Sequence, residues 1–281
     1  MKKLFAIVLA ALMVTALLAG CGSSTAETKA PETTAAPAPA ATEAAAPAET
    51  EAAAAAFTTI EAGKLIMSTS ADFPPYEMVA DDGSFEGIDV EIAGAVAAKL
   101  GLELVVDDMD FDAALLAVQQ GKSDIVMAGV TVNEDRKLVM NFSDTYSKGV
   151  QVVIVKEGSD VTLDNLGDQM IGTQRGTTGY IYTSGDYGED HVTAYDNGTS
   201  AVQALMNGQV DCVVIDSAPA KSFVEANPGL TILDTEYTSE DYAIGMNKSN
   251  TALLDAVNAA LAELTADGTI PAIVEKYIPT K

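Results

Sequence analysis

The strongest constraint on the fold is a unit that occurs twice. Residues 117–129 read Ala-Val-Gln-Gln-Gly-Lys-Ser-Asp-Ile-Val-Met-Ala-Gly, and residues 204–216 read Ala-Leu-Met-Asn-Gly-Gln-Val-Asp-Cys-Val-Val-Ile-Asp. Each is the end of a helix stopped by a glycine (Gly121, Gly208), then a turn carrying an aspartate, then an apolar run dense enough for a buried strand. The same alternation holds elsewhere. Residues 64–69 read as a strand, and 89–100 as a helix with Val90, Ile92, Ala93, Val96, Ala97 and Leu100 at helical spacing before Gly101. A strand over 102–106, a helix over 112–120 and a strand over 124–128 follow. Such alternation predicts an α/β fold of open, mostly parallel sheets flanked by helices. If the two repeated units belong to separate sheets, their strand ends face one another, and ligands of open α/β sheets bind at those carboxyl ends.

The two exits carry opposite chemistry. After the first strand comes Gly129-Val130-Thr131-Val132-Asn133-Glu134-Asp135-Arg136. Gly129 permits close backbone approach, Thr131 offers a hydroxyl and an N–H, and Asn133 can cap a short helix. Arg136 then falls in the first helical turn, where the helix dipole disfavours a cation unless an anion is present. A guanidinium there can grip a carboxylate through two parallel hydrogen bonds. The competing reading is a surface arginine paired with Glu134 or Asp135. After the second strand the exit residue is Asp216, followed by Ser217-Ala218-Pro219 opening a helix. That aspartate reads equally as an ordinary N-cap. Taken together, one cationic and one anionic exit suit a zwitterion.

The N-terminal part is delivery rather than fold. Lys2 and Lys3 precede an apolar stretch over residues 4–18 that is too short for a comfortable membrane span. It closes on Leu18-Ala19-Gly20-Cys21, which resembles the lipobox of bacterial lipoproteins. The resemblance implies a signal peptide over 1–20, lipidation of Cys21 and a cell-membrane location, anchored on the extracytoplasmic face. Residues 22–56 hold 16 Ala, 6 Thr, 5 Glu and 4 Pro and no large apolar side chain, so ordering them is not offset by burial. That segment is expected to be a disordered tether. The chain carries 15 Lys+Arg against 41 Asp+Glu, a formal charge of −26 that argues against nucleic acid as a partner. One His and two Cys exclude the common zinc and Cys/His nucleophile sites, so neither a metal nor a cofactor is expected.

Further motifs stand in a fixed order: 70–77 (Ser-Ala-Asp-Phe-Pro-Pro-Tyr-Glu), 83–91 (Gly-Ser-Phe-Glu-Gly-Ile-Asp-Val-Glu), Met109-Asp110-Phe111, 129–136, 141–146, 174–178 and 213–216. In these, over about residues 60–279, the chain resembles the polar amino-acid-binding proteins that serve ATP-binding-cassette importers. The resemblance implies a two-lobed periplasmic-binding-protein-like fold of type II, with two sheets joined by two crossing hinge strands. Lobe 1 would comprise 57–148 and 244–281, and lobe 2 149–243. Residues 150–155 and 241–246 are the extended stretches that can cross. A monomer that hands its amino acid to a transporter permease is implied.

The same resemblance places residues. Arg136 would bind the ligand's α-carboxylate with Thr131, the Gly129 backbone and Thr178 from the other lobe, and Asp216 would bind the α-ammonium. Phe73 and Phe111 would sandwich the ligand side chain, with Ser70 and Gln174 toward its end. Family members with cationic ligands often carry an acid where this chain has Ser70; Asp72 or Glu77 are the acids nearby. Tyr242 is hinge or site, whereas Phe85, Phe142 and Cys212 read as packing. No catalytic residue is expected. The alternatives are an enzyme, since similar folds include a cyclohexadienyl dehydratase, and a ligand sensor for a membrane receptor.

Overall fold

The computed structural model describes residues 57–279 apart from Thr235. The expected signal peptide over 1–20, the expected lipidation site Cys21 and the expected tether lie outside the described residues. Chain order begins with β1 (Lys64–Thr69), a small antiparallel set β2 (Asp72–Phe73), β3 (Glu77–Val79) and β4 (Phe85–Glu86), then α1 (Ile88–Lys99), β5 (Glu103–Asp108), α2 (Phe111–Gln119) and β6 (Ile125–Val126). The short α3 (Glu134–Val139) leads directly into the 17-residue β7 (Met140–Lys156). Next come β8 (Ile171–Gln174), α4 (Thr178–Tyr187), β9 (Val192–Tyr195), α5 (Gly198–Met206), β10 (Cys212–Asp216), α6 (Ser217–Ala226) and β11 (Leu230–Ile232). Finally β12 (Thr238–Asn247) returns to helices α7 (Thr251–Ala266) and α8 (Thr269–Tyr277).

The main sheet runs β5-β1-β6-β12-β7-β10-β8-β9, with β11 on β7. Strands β5, β1 and β6 are parallel, as are β10, β8 and β9. These are the two parallel half-sheets that the alternation predicts. They are continuous with one another because β7 and β12 are long enough to belong to both. The β12 strand pairs antiparallel with β6 in the first half and with β7 along its whole length, while β7 pairs with β10 and β11 in the second. Register shifts fall at Tyr242/Ala243 and Ala243/Gly245, midway along that ladder. An extra residue on one strand bends the pair, and here the bend lies where the chain passes between lobes.

Each half-sheet is covered on both faces, which explains why its strands read as unbroken apolar runs. In the second half the period of two is plain: Val152, Ile154, Val213 and Ile215 pack with α5 and Phe223, whereas Val153, Val155, Cys212 and Val214 pack with Leu166 and Ile171. In the first half Ile125 and Met127 face the core of Leu65, Met67, Ile92 and Val96, and Val126 and Ala128 face α2. The C-terminal helices complete that first core through Leu253, Val257, Leu261 and Ile270. Burying a side chain of this kind stabilises by ~1.5–3 kcal/mol. Each half-sheet thus has its own core, and β7 and β12 join the two.

Candidate functional site

The first exit is shaped by its glycine. Gly129 has φ 55°, and a β-carbon there would lie 3.0 Å from the Phe73 ring and 3.3 Å from the Tyr242 ring. Only glycine accepts both conditions without strain. Its N–H donates to Asp89 Oδ2 at 2.9 Å. Beyond it the chain is stitched onto β12, with Ala243 N donating to Val130 O and Val132 N donating to Asp241 O. Asn133 then caps α3, its Oδ1 accepting from Arg136 N at 2.8 Å, as the sequence predicts.

Arg136 is 7% exposed, so the surface reading fails; Lys137 is the residue that pairs with Glu134. None of the ion pairs among the described residues includes Arg136. Its guanidinium donates to Thr131 O at 2.9 Å and to Gly176 O of the other lobe at 3.2 Å, and sits 5.4 Å above the Phe111 ring. Two of five N–H donors are thus used, and three remain. Burial lowers its pKa, opposed by the Glu240 carboxylate.

The second exit is the reverse. Asp216, 1% exposed, is indeed the N-cap of α6, its Oδ1 accepting from Ala218 N at 3.0 Å. Its Oδ2 also accepts from Val150 N at 2.9 Å and from the Tyr242 hydroxyl at 2.8 Å. Burial pushes its pKa up to about 6 against these three donors. Among the described residues no cation offsets that cost.

Both exits open on one cavity, lined from both halves of the sheet. Ser70, Phe73, Phe111, Gly129, Thr131, Arg136, Gln174, Thr178 and Asp216 all line it. Phe73 stacks on Tyr76 at 5.9 Å, and Ser70 Oγ donates to Asp72, whose pKa burial raises to about 6. Gln174 ends β8, and Thr178 opens α4 behind the N-cap Thr177. Thr178 Oγ1 meets Thr131 Oγ1 across the lobes at 3.4 Å. Tyr242 lines the cavity, and its hydroxyl donates to Asp216 Oδ2.

Of three further polar groups here, the sequence named only Glu77, as a nearby acid, and neither Gln151 nor Glu240. Glu77, fully buried, lines the cavity, and neither of its oxygens receives a conventional hydrogen bond. Burial and the neighbouring Asp89 raise its pKa well above the usual carboxylate range. Gln151 lines the cavity and donates to Glu240 Oε2 at 2.9 Å, which also accepts from Thr131 Oγ1 at 3.1 Å. Gln151 left a signal, a lone amide in an apolar strand; Glu240, within Thr-Ser-Glu-Asp, left none.

The L-cystine-binding protein TcyJ of Escherichia coli (strain K12) is 30% identical over 221 residues, 77% of this chain and 83% of the relative. An ancestral arginine-binding protein solved with glutamine matches with TM-score 0.74 at 37% identity, covering 78% of this chain and 99% of the other. The same kind of protein solved with arginine matches with TM-score 0.73 at 38% identity, covering 77% and 98%. The fold is the two-lobed, type II periplasmic-binding-protein-like class. Residues 65–280 match the model of one family over nearly all of the folded part, and the chain belongs to the bacterial extracellular solute-binding proteins, family 3.

Proposed function

We propose that the protein captures a polar L-amino acid between its lobes and delivers it to an ABC importer, without catalysing a reaction. The observation that carries this is the pairing of Arg136 and Asp216: opposite buried charges, one from each strand exit, facing one cavity and held by neutral groups rather than by counter-ions. The ligand's α-carboxylate takes the remaining guanidinium donors, with Thr131, Thr178 and the Gly129 backbone around it. Its α-ammonium takes Asp216. Phe73 and Phe111 flank the side chain, and Ser70, Gln174 and Glu77 meet its end. The cystine, glutamine and arginine named for the relatives share that zwitterionic head.

Arg136 donates to Gly176 of the other lobe, so closure and ligand capture use one side chain. The closed form is what the permease recognises. A lipid on Cys21 and the tether hold the monomeric protein on the extracytoplasmic face of the membrane, where two acyl chains give stable anchoring.

The test is thermal unfolding of the chain from Cys21 onward against a panel of L-amino acids. Ligand at 100 times Kd adds ~2.7 kcal/mol, a midpoint rise of about 5–10 °C for a chain of this size. If no amino acid moves the midpoint, the reading fails. A second reading, a dehydratase, draws on Glu77 as a protonated acid in the cavity. Consumption of prephenate by the protein decides for it.

A further inference from the structure

Behind Gly129 lies a cluster of which the amino-acid-binding reading uses only Glu77. Asp89 is the second residue of α1, fully buried, and its Oδ2 accepts from Gly129 N. Its own N–H donates to Tyr76 O, which locks the helix start onto the turn between β2 and β3. Asp89 Oδ1, the Tyr146 hydroxyl and both Glu77 oxygens are buried together, with Tyr146 and Glu77 both in interaction range of the Asp89 carboxyl group. Facing this cluster are Tyr76 ahead of β3, Asp72 on β2, Asp108 on β5 and Tyr146 on β7; no Lys, Arg or His is among them.

Two carboxyl groups buried side by side without a cation cannot both ionise. Geometry says which one keeps its charge. Asp89 has a backbone N–H on one oxygen and stands in the first turn of a helix, where the dipole favours an anion. Glu77 has no donor and retains the proton. Gly129, in a left-handed conformation two residues before the Thr131 carbonyl that accepts from Arg136 Nη1, is held by this anion.

We propose that Asp89 is a positioning residue of the amino-acid site: it shares one proton with Glu77, and its ionised carboxylate fixes the Gly129 peptide on which the Thr131–Arg136 grip is built. This rests on the amino-acid-binding reading, and the two fail separately.

The experiment follows the Gly129 amide resonance from about pH 4.5 to about pH 8, the window in which a carboxyl raised by burial titrates, and measures Kd for the best amino acid of the panel. In the wild type that resonance titrates with a midpoint near Asp89's value of about 6. Asp89→Leu, of similar shape but without an acceptor, weakens binding at least about tenfold. Asp89→Asn keeps an acceptor, so it loses about threefold to tenfold and abolishes the titration. Asp124→Asn is the control: that aspartate accepts from Ile60 N and Ile66 N in the same lobe, away from the cavity, so stability drops while Kd stays within about twofold. Glu77→Gln moves the Gly129 midpoint to lower pH, because the competing acid is gone. A folded Asp89→Leu or Asp89→Asn protein that binds like wild type overturns the proposal. So does a Gly129 titration that survives Asp89→Asn, or one unmoved by Glu77→Gln. A wild type that binds no amino acid sinks the functional reading instead, while the amide titration still judges the carboxyl pair.

Discussion

The two strand exits are built alike and charged oppositely. Each follows a buried parallel strand, and each ends in a capped helix, Asn133 capping α3 and Asp216 capping α6. At the first exit the charge is a cation held by two carbonyl oxygens, Thr131 O and Gly176 O. At the second it is an anion held by three donors, Val150 N, Ala218 N and the Tyr242 hydroxyl. Neutral dipoles thus hold each charge in place without cancelling it. A direct Arg136–Asp216 pair would have been self-sufficient; two separately held charges leave room for a ligand that carries both signs.

Removing the cation breaks this arrangement most severely. Arg136→Ala deletes the bond to Gly176 and the proposed partner of the ligand carboxylate together. Truncating one side of a buried charge pair costs ~2–5 kcal/mol, or roughly 30-fold to several thousand-fold in affinity. Titration calorimetry with the best amino acid reads this directly. Arg136→Lys should recover little, since an ammonium cannot serve Thr131, Gly176 and a carboxylate in one plane. Retained affinity in Arg136→Ala would place the carboxylate elsewhere.

The anionic exit is tunable by pH, and the sign is opposite to that of an ordinary surface carboxylate. Asp216, Asp89 and Asp72 are each raised from 3.8 to about 6 by burial. Between these values the folded chain holds protons that the unfolded chain has released, so ligand-free stability falls as pH rises through that window. On the proposed reading ligand affinity runs the other way, because an ammonium held there needs an ionised Asp216. At pH 5 about one site in eleven is ionised, so affinity there is about tenfold below that at pH 8 from this group alone. Asp216→Asn keeps the α6 cap, since asparagine caps as well as aspartate. It should bind weakly at every pH and lose most of the slope. A slope unchanged in Asp216→Asn would mean that the ammonium sits elsewhere.

How much of this was legible depends on whether the signal was local. The helix–glycine–strand units, the Asn133 cap and the extended stretches at 150–155 and 241–246 are short-range patterns, and the structure carries them all. The cavity residues were legible because they cluster at strand exits. The continuous sheet was not. Residues 141–144 read Asn-Phe-Ser-Asp, poor strand material, and they extend β7 only because β12 pairs with them. Glu240 likewise looks solvated in sequence; its burial follows from lying opposite Gly149 where the two strands cross. Gly149 itself is there for space, as a β-carbon would fall 2.5 Å from Asp216 Oδ2 and from the Tyr242 ring. Such facts are tertiary, set by which strands meet.

The smallest effect concerns two threonines that face each other across the lobes, and it separates their roles. Glu240 Oε2 accepts the Thr131 proton at 3.1 Å, so Thr131 has no proton left for a ligand carboxylate. In the 3.4 Å contact between the hydroxyls, Thr178 is then the donor, and its loose geometry leaves it free to turn toward the ligand. On the proposed reading Thr131 serves the ligand through its backbone instead. Thr178→Val should therefore weaken binding by roughly 0.5–1 kcal/mol with little change in stability. Thr131→Val should leave the hydroxyl-independent part of binding in place but strip a donor from a buried carboxylate whose other oxygen already has none. That variant should be less stable than Thr178→Val by about 1 kcal/mol in urea unfolding. If the two variants change stability equally, or if Thr131→Val loses the more affinity, the proton points the other way and the threonines exchange roles.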